Sequence, residues 1–230
     1  MPTITNRFGV RPGRAVFLFA MLLAVALGPA WSAQDAASGA LHPASDQMAA
    51  EKTATELSRK AAKGDGTALS ALMYSADRGD PPSQFRLATL YKDGLGVPRD
   101  TGLYVAWLRK AAQGGHGGAQ SRLIGVYEEG EGVPADAVLA AQWARRAADQ
   151  GELAGQLALV KDYYFGRGVA RSVVEAIKWQ AILEARGFVA PNDDFTRQME
   201  AEAGAIQAEE GRSLAREWLK GTNRSPQARQ

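Results

Sequence analysis

The segment Gly94-Leu95-Gly96-Val97-Pro98-Arg99-Asp100 returns in related form twice along this chain of 230 residues. The second copy, 36 residues later, is Gly130-Glu131-Gly132-Val133-Pro134-Ala135-Asp136, and the third, after the same interval, is Gly166-Arg167-Gly168-Val169-Ala170-Arg171-Ser172. Four further positions recur at the same interval of 36 residues. They are a leucine (Leu87, Leu123 and Leu159), a tyrosine (Tyr91, Tyr127 and Tyr163), a tryptophan (Trp107, Trp143 and Trp179) and a closing glycine (Gly115, Gly151 and Gly187). A fixed period of about 20–50 residues is typical of solenoid arrays. The stretch 83–187 is therefore predicted to be a repeat array.

Each unit of the array has the pattern of two helices joined by a glycine-rich turn. In the first copy, apolar residues of 83–93 and of 101–114 recur at helical spacing. Gly94 can adopt the left-handed conformation that ends a helix, and Pro98 prevents that helix from continuing. Asp100 then stands where a side-chain acceptor opens the second helix. The pattern predicts a helix, a turn and an antiparallel helix in each unit.

The combined pattern L-x3-Y-x2-G-x-G-V-P-x-D-x6-W-x3-A-A-x2-G resembles the Sel1-like repeat, a relative of the tetratricopeptide repeat. The first copy supplies it with Leu87, Tyr91, Gly94, Gly96, Val97, Pro98, Asp100, Trp107, Ala111 and Ala112, and the second with Leu123, Tyr127, Gly130, Gly132, Val133, Pro134, Asp136, Ala140, Trp143, Ala147 and Ala148. The third copy has Ala170 for the proline, Ser172 for the aspartate, and Leu183 and Glu184 for the two alanines. Its second helix is therefore expected to pack differently. The resemblance implies an all-α fold, a right-handed α/α superhelical solenoid of Sel1-like helix-turn-helix repeats with a C-terminal capping helix.

The amino-acid composition excludes several classes of function. The chain has no cysteine, which excludes disulfides, thiol catalysis, cysteine-ligated zinc and a lipid on an N-terminal cysteine. The formal net charge is +2, and subtracting the three arginines Arg7, Arg11 and Arg14 of the N-terminal segment leaves −1. A near-neutral remainder offers no electrostatic case for binding nucleic acid.

Residues 1–33 have the pattern of a secretory signal peptide. Arginines precede an apolar run over 15–27, and small residues follow it, so cleavage is expected after Ala30 or after Ala33. The run is shorter than the ~20 residues of a membrane-spanning helix. An uncleaved anchor is the alternative. The pattern predicts a periplasmic or secreted bacterial protein, with no membrane span after cleavage.

The flanks of the array are predicted to be less regular. We expect a flexible linker over 34–50, degenerate N-terminal capping helices over 51–82, and three repeats over 83–118, 119–154 and 155–190. A C-terminal capping helix is expected over 191–221, with a bend near Gly211, followed by a disordered tail over 222–230.

The sequence contains few candidate catalytic residues. The two histidines, His42 in the linker and His116 in a glycine-rich turn, stand far apart without metal-ligand spacing or a nucleophile pattern. The glycine loops follow helices, so they indicate turns and not phosphate binding. We therefore predict no catalytic residue, no metal and no cofactor. The rivals to a binding protein are a cell-envelope hydrolase that uses a carboxylate pair such as Glu128 and Asp162, and a self-assembling structural array.

The resemblance also implies where a partner binds, because in tetratricopeptide relatives the first helix of each pair lines the concave face. The positions implied here are Phe85, Thr89, Lys92, Ser121, Gly125, Glu128, Leu157, Lys161 and Tyr164. Packing between helices is the alternative role for some of them, above all Phe85 and Leu157. The mixed chemistry of this set suits a peptide or a helix of another protein. The prediction is an exported interaction scaffold for an envelope partner, in periplasmic regulation, envelope or exopolysaccharide assembly, or host interaction.

Overall fold

The computed structural model describes residues 43–189 and 194–222. The expected signal peptide, the linker as far as His42 and the tail from 223 lie outside these ranges. Within them the chain forms nine helices and no strand. Their bounds are α1 Pro43–Ala61, α2 Gly66–Asp77, α3 Pro81–Asp93, α4 Thr101–Gln113, α5 Gly117–Glu129, α6 Ala137–Asp149, α7 Leu153–Phe165, α8 Val173–Ala185 and α9 Asp194–Thr222.

Helices α3 to α8 form three equivalent pairs. Each of these helices is 13 residues long, and the starts of α3, α5 and α7, like those of α4, α6 and α8, are 36 residues apart. Successive helices along the array pack against one another. The protein is an all-α superhelical solenoid of helix-turn-helix repeats, as the sequence predicts. No described helix holds an apolar stretch long enough to cross a bilayer.

The glycine-rich turn has the same geometry in all three repeats. Its first glycine ends the preceding helix in the left-handed region, with φ of 69° at Gly94, 75° at Gly130 and 72° at Gly166. Its second glycine packs on the preceding repeat, since a Cβ on Gly168 would lie 2.0 Å from the carbonyl oxygen of Ala137. A side chain there would force the repeats apart, so the motif sets both the turn and the spacing.

The residue that follows each turn caps the second helix. The carboxylates of Asp100 and Asp136 accept hydrogen bonds from backbone N–H groups at 2.8 and 2.9 Å. The hydroxyl oxygen of Ser172 accepts the equivalent bond at 3.3 Å. The third turn therefore keeps its function although it lacks the proline and the aspartate.

A row of buried glutamines joins each repeat to the one before it, and sequence reasoning missed it. Gln84, Gln120 and Gln156 are at most 6% exposed and stand 36 residues apart. Their side-chain amides donate to the carbonyl oxygens of the residues eight positions earlier, at 3.0, 3.1 and 3.4 Å. These carbonyls belong to the last turns of the preceding second helices, where each also accepts the backbone N–H of the glycine three residues on.

The three repeat tryptophans are packing residues. Trp107 is half-buried, with the ammonium of Lys110 3.7 Å from its ring centre, and Trp143 is covered in the same way by Arg146. Trp179 is fully buried, and Trp218 of α9 meets it edge-on with 5.6 Å between ring centres. The last tryptophan is thus covered by the C-terminal helix in addition to the cations of Arg145 and Lys178.

The N-terminal end differs from the predicted boundaries. Helix α1 begins at Pro43, so residues 43–50 are helical and their prediction as linker is wrong. Proline is well tolerated in the first turn of a helix, so it did not mark a linker here. Helices α1 and α2 form the degenerate first pair, and α1 packs on both α2 and α3.

The C-terminal helix breaks at a different glycine from the one expected. Helix α9 has non-helical backbone at Gly204, with φ 73° and ψ 165°, so the prediction of a bend near Gly211 is wrong. Gly211 is instead buried against α8, where an added Cβ would lie 2.8 Å from the carbonyl oxygen of Val174. This glycine allows close helix contact. Residues 190–193, where α9 was expected to begin, are not described.

Candidate functional site

Four of the nine implied groove positions are open to a partner. Gly125 lies in the middle of α5, and a Cβ built on it meets no atom within 4 Å. Leu157 on α7 is 38% exposed, so its role is not that of a core residue. Glu128 and Lys161 are exposed charged residues on the same two helices. Helices α5 and α7 therefore present an open strip with apolar and charged positions.

The positions on α3 are more engaged with the protein itself. Phe85 stacks on the ring of His116 with 4.4 Å between ring centres, which favours its packing role. The hydroxyl of Thr89 donates to the carbonyl oxygen of Phe85 at 3.0 Å. The ammonium of Lys92 lies 3.1 Å from the carboxylate of Glu131 in the next repeat. Ser121, on α5, has a buried hydroxyl with no partner among the described residues.

Tyr164 is not part of the open strip. It is 7% exposed, and its ring meets Phe165 and Phe195 edge-on at 4.9 and 5.2 Å between ring centres. Phe195 belongs to α9, which therefore covers the position in the third repeat that the first repeat fills with Lys92. The prediction that Tyr164 lines the groove is wrong for this reason.

His116 has a structural role that sequence reasoning did not assign. Its Nδ1 accepts the backbone N–H of Ala119 at 3.1 Å and so caps α5. Its Nε2 lies 3.2 Å from the carboxylate of Glu51 in α1, which also pairs with Arg86 at 2.5 Å. The cap requires an unprotonated Nδ1, so the ring is assigned the Nε2–H tautomer, donating to Glu51. The histidine thereby ties the capping pair to the second repeat.

A cleft of about 750 Å³ opens beside the strip, between the second and third repeats. It lies among the end of α5, the start of α6, α7 and the third glycine turn. The lining includes Tyr127, Glu128, Ala140, Lys161, Asp162 and Arg167. Two groove positions, Glu128 and Lys161, thus also border this cleft.

Asp162 is the unusual group of the cleft. It is 5% exposed, and no described donor or cation forms a hydrogen bond or ion pair with its carboxylate. Burial raises the pKa of Asp162 to about 6, and the charge of Glu128 raises it further, while Arg167 and Lys161 oppose the shift. The oxygens of Asp162 border the open cleft, where water reaches them in place of a protein donor.

The cleft brings together the two carboxylates of the rival hydrolase hypothesis. Glu128 and Asp162 both line it, and a raised pKa is a property of catalytic acids. No group of three or more metal-binding side chains occurs within 43–189 and 194–222. The arrangement can therefore hold a cationic group, or act as an acid and base pair.

The Sel1 repeat family model matches the chain three times, over residues 81–116, 122–152 and 156–179. A Sel1 repeat protein of Oxalobacter formigenes with a known crystal structure is 34% identical, over 58% of this chain and 97% of its own length, with a TM-score of 0.49. The chain belongs to the Sel1 repeat family. A protective antigen of uropathogenic Escherichia coli that displays an SLR fold is 27% identical, over 66% of this chain and 40% of its own, with a TM-score of 0.49. No match was found among curated proteins.

Membership in the Sel1 repeat family gives the general function. Sel1 repeats mediate protein–protein interactions, and proteins built from them are typically scaffolds and not enzymes. Since a fold hosts many functions, the particular partner has to be argued from the site.

Proposed function

We propose that this Sel1 repeat protein is an exported scaffold that binds a peptide or helix of an envelope protein along its first helices. The observation that carries the proposal is the open strip on α5 and α7. It combines a glycine with free space above it, an exposed leucine and two charges of opposite sign. Stacked helix pairs offer extended binding surfaces of this kind.

The strip suits recognition without turnover. Gly125 leaves room for a partner backbone or side chain to approach α5, and Leu157 offers apolar contact on α7. Glu128 and Lys161 can pair with charges on either side of the bound segment. An amphipathic helix or an extended peptide matches such a surface.

The binding proposal is tested by blocking the strip with Gly125→Arg. Because the new Cβ meets open space, the variant is expected to fold normally, and its long side chain covers the strip. Gly221→Arg is the matched control, since Gly221 is an exposed helical glycine that also has no atom within 4 Å of an added Cβ. Affinity capture from the native envelope should lose a partner with Gly125→Arg and keep it with Gly221→Arg. Equal capture by both variants would place the binding surface elsewhere.

Export is the second component of the proposal, and it is supported by the pattern of residues 1–33. Cell fractionation and N-terminal sequencing test it. A periplasmic or secreted protein that begins at Trp31 or Gln34 is the expected result. An intact N-terminus in the membrane fraction would identify the uncleaved anchor, and an intact N-terminus in the cytoplasm would refute export.

A hydrolase is the second candidate, and one observation favours it. The pKa of about 6 at Asp162 keeps part of this carboxyl protonated near neutral pH, as a general acid requires. Incubation with envelope polysaccharide tests this candidate. Product release that disappears in Asp162→Asn would replace the scaffold proposal, and absence of turnover with retained partner binding would exclude the hydrolase.

A further inference from the structure

Asp162 occupies a position that the other repeats fill with apolar residues. One and two periods earlier stand Val126 and Leu90, which are 1% and 2% exposed. The third repeat thus has a carboxylate at a position where the first two repeats bury an aliphatic side chain. Such a choice costs stability, and groups of this kind concentrate at functional sites.

The space in front of Asp162 depends on the small side chain at position 140, which is alanine in the second repeat and in the third, at Ala176. Ala140 lines the cleft, and its equivalent one period earlier is Tyr104, whose ring is 2% exposed. The Lys92–Glu131 ion pair lies beside that ring, with the ammonium 5.0 Å from its centre. Between the second and third repeats, alanine replaces tyrosine and leaves the volume unfilled.

The charges around the opening are also changed. Glu128 and Arg167 stand where the preceding repeats place Lys92 and Glu131, so the pair has exchanged signs. In contrast to Lys92 and Glu131, Glu128 and Arg167 form no ion pair with any residue of 43–189 or 194–222. Both are exposed, as is Lys161, and their side chains reach solvent at the rim. Arg167 and Lys161 lower the pKa of Asp162 from the rim, but neither forms an ion pair with its carboxylate among the described residues.

We propose that this cleft receives a lysine or arginine side chain of a peptide bound along α5 and α7, with the carboxylate of Asp162 as its ion-pair partner. The inference rests on the proposed function and names the chemistry of the partner. A peptide is favoured as the source of the cation because Glu128 and Lys161 belong both to the strip and to the cleft. A basic side chain from a segment on the strip can thus enter the cleft directly.

The test uses the full mature protein and short glycine–alanine host peptides, blocked at both ends, that carry one central arginine, lysine, norleucine or glutamate. Binding is followed by NMR, through the backbone amides of Gly166 and Gly168. The arginine and lysine peptides are expected to bind at least tenfold more tightly than the other two. Free arginine amide, which lacks the peptide, should bind more weakly than the arginine peptide.

Two variants for this test copy residues that the preceding repeat has at the same positions. Asp162→Val and Ala140→Tyr introduce the residues of the preceding repeat, so both are compatible with a helix pair of this type. Each should weaken binding of the basic peptides at least tenfold, one by removing the charge and the other by filling the cleft. Glu129→Gln, which removes an exposed charge outside the cleft, should change it less than twofold.

The outcomes separate this inference from the proposed function. Equal binding of all four peptides, abolished by Gly125→Arg, would support the strip and overturn the cleft assignment. Undiminished binding by Asp162→Val would overturn it too, as would the absence of binding by the basic peptides. Arginine amide binding as tightly as the arginine peptide would indicate a small-molecule amine site and reject the peptide.

Discussion

Replacing Asp162 with valine is expected to stabilise the protein, although it alters a buried side chain. The folded-state pKa of about 6 exceeds the ordinary value of 3.8 by about 2 units. At about 1.4 kcal/mol per unit, the ionised carboxylate would cost up to about 3 kcal/mol if water were excluded. Because the cleft admits solvent, we expect about half of this penalty. Valine also recovers apolar burial, which brings the gain to about 2 kcal/mol.

The stability gained by Asp162→Val should increase with pH. The folded-state pKa lies above the unfolded value, so the folded protein holds the proton more tightly and ionisation destabilises it. The penalty is absent below about pH 4, grows as the pH rises to about 6, and is constant above that. The advantage of the valine variant over the wild type should therefore shrink by about 1 kcal/mol between about pH 7.5 and about pH 4.5.

Urea unfolding followed by tryptophan fluorescence at the two pH values measures this effect. The midpoint for Asp162→Val should rise by roughly 0.7–1 M at the higher pH, provided that the slope of the transition is unchanged. Asp162→Asn keeps the shape and removes only the charge, so it should gain about 1 kcal/mol at the higher pH and almost nothing at pH 4. A valine variant that is less stable than the wild type, or equally favoured at both pH values, would show that ionised Asp162 does not destabilise the fold.

Four further substitutions test the packing by urea unfolding. Gly125→Ala should stabilise by about 1 kcal/mol because its Cβ meets open space in a helix interior, whereas Gly155→Ala should destabilise because its Cβ would lie 2.5 Å from a backbone nitrogen. Gln120→Ala should cost about 0.5–1.5 kcal/mol, since it removes a buried hydrogen bond but leaves the carbonyl of Ala112 with the backbone N–H of Gly115 as donor, and an unchanged stability would contradict this role. Trp218→Ala should cost about 3 kcal/mol and shift the emission of Trp179 to the red, and an unchanged spectrum would contradict their contact.

The sequence predicts the helix pairs well because their signals are local. Gly94, Asp100 and their counterparts act within one turn, through backbone conformation and short-range caps, so a fixed period is enough to place them. The glutamine row keeps the same period but is not predictable from it, because a glutamine in a helix is usually exposed and its spacing does not indicate burial. Gln120 shows why such a residue is buried, since its amide donates a second hydrogen bond to the carbonyl oxygen of Ala112 in the last turn of α4.

The candidate site is less predictable because it depends on what is packed nearby. Tyr164 has the spacing of a groove residue, but α9 returns to cover it. Gly204 and Gly211 look alike in sequence, and only contact with α8 decides which one permits a break and which a close approach. The cleft arises from Ala140 and Asp162 together. The sequence offers Asp162 as a candidate carboxylate, but only the packing of the repeats shows that it is buried beside space that Ala140 leaves open.

The central claim is that a partner segment lies on the strip formed by α5 and α7. The most direct measurement is site-specific photocrosslinking in the native envelope, with a photoreactive phenylalanine derivative at Gly125 and, as the control, at Gly221. Both positions have open space for the probe. The account predicts a discrete adduct with another protein at Gly125 and none at Gly221. Adducts of equal yield at both positions, or none at Gly125, would contradict it.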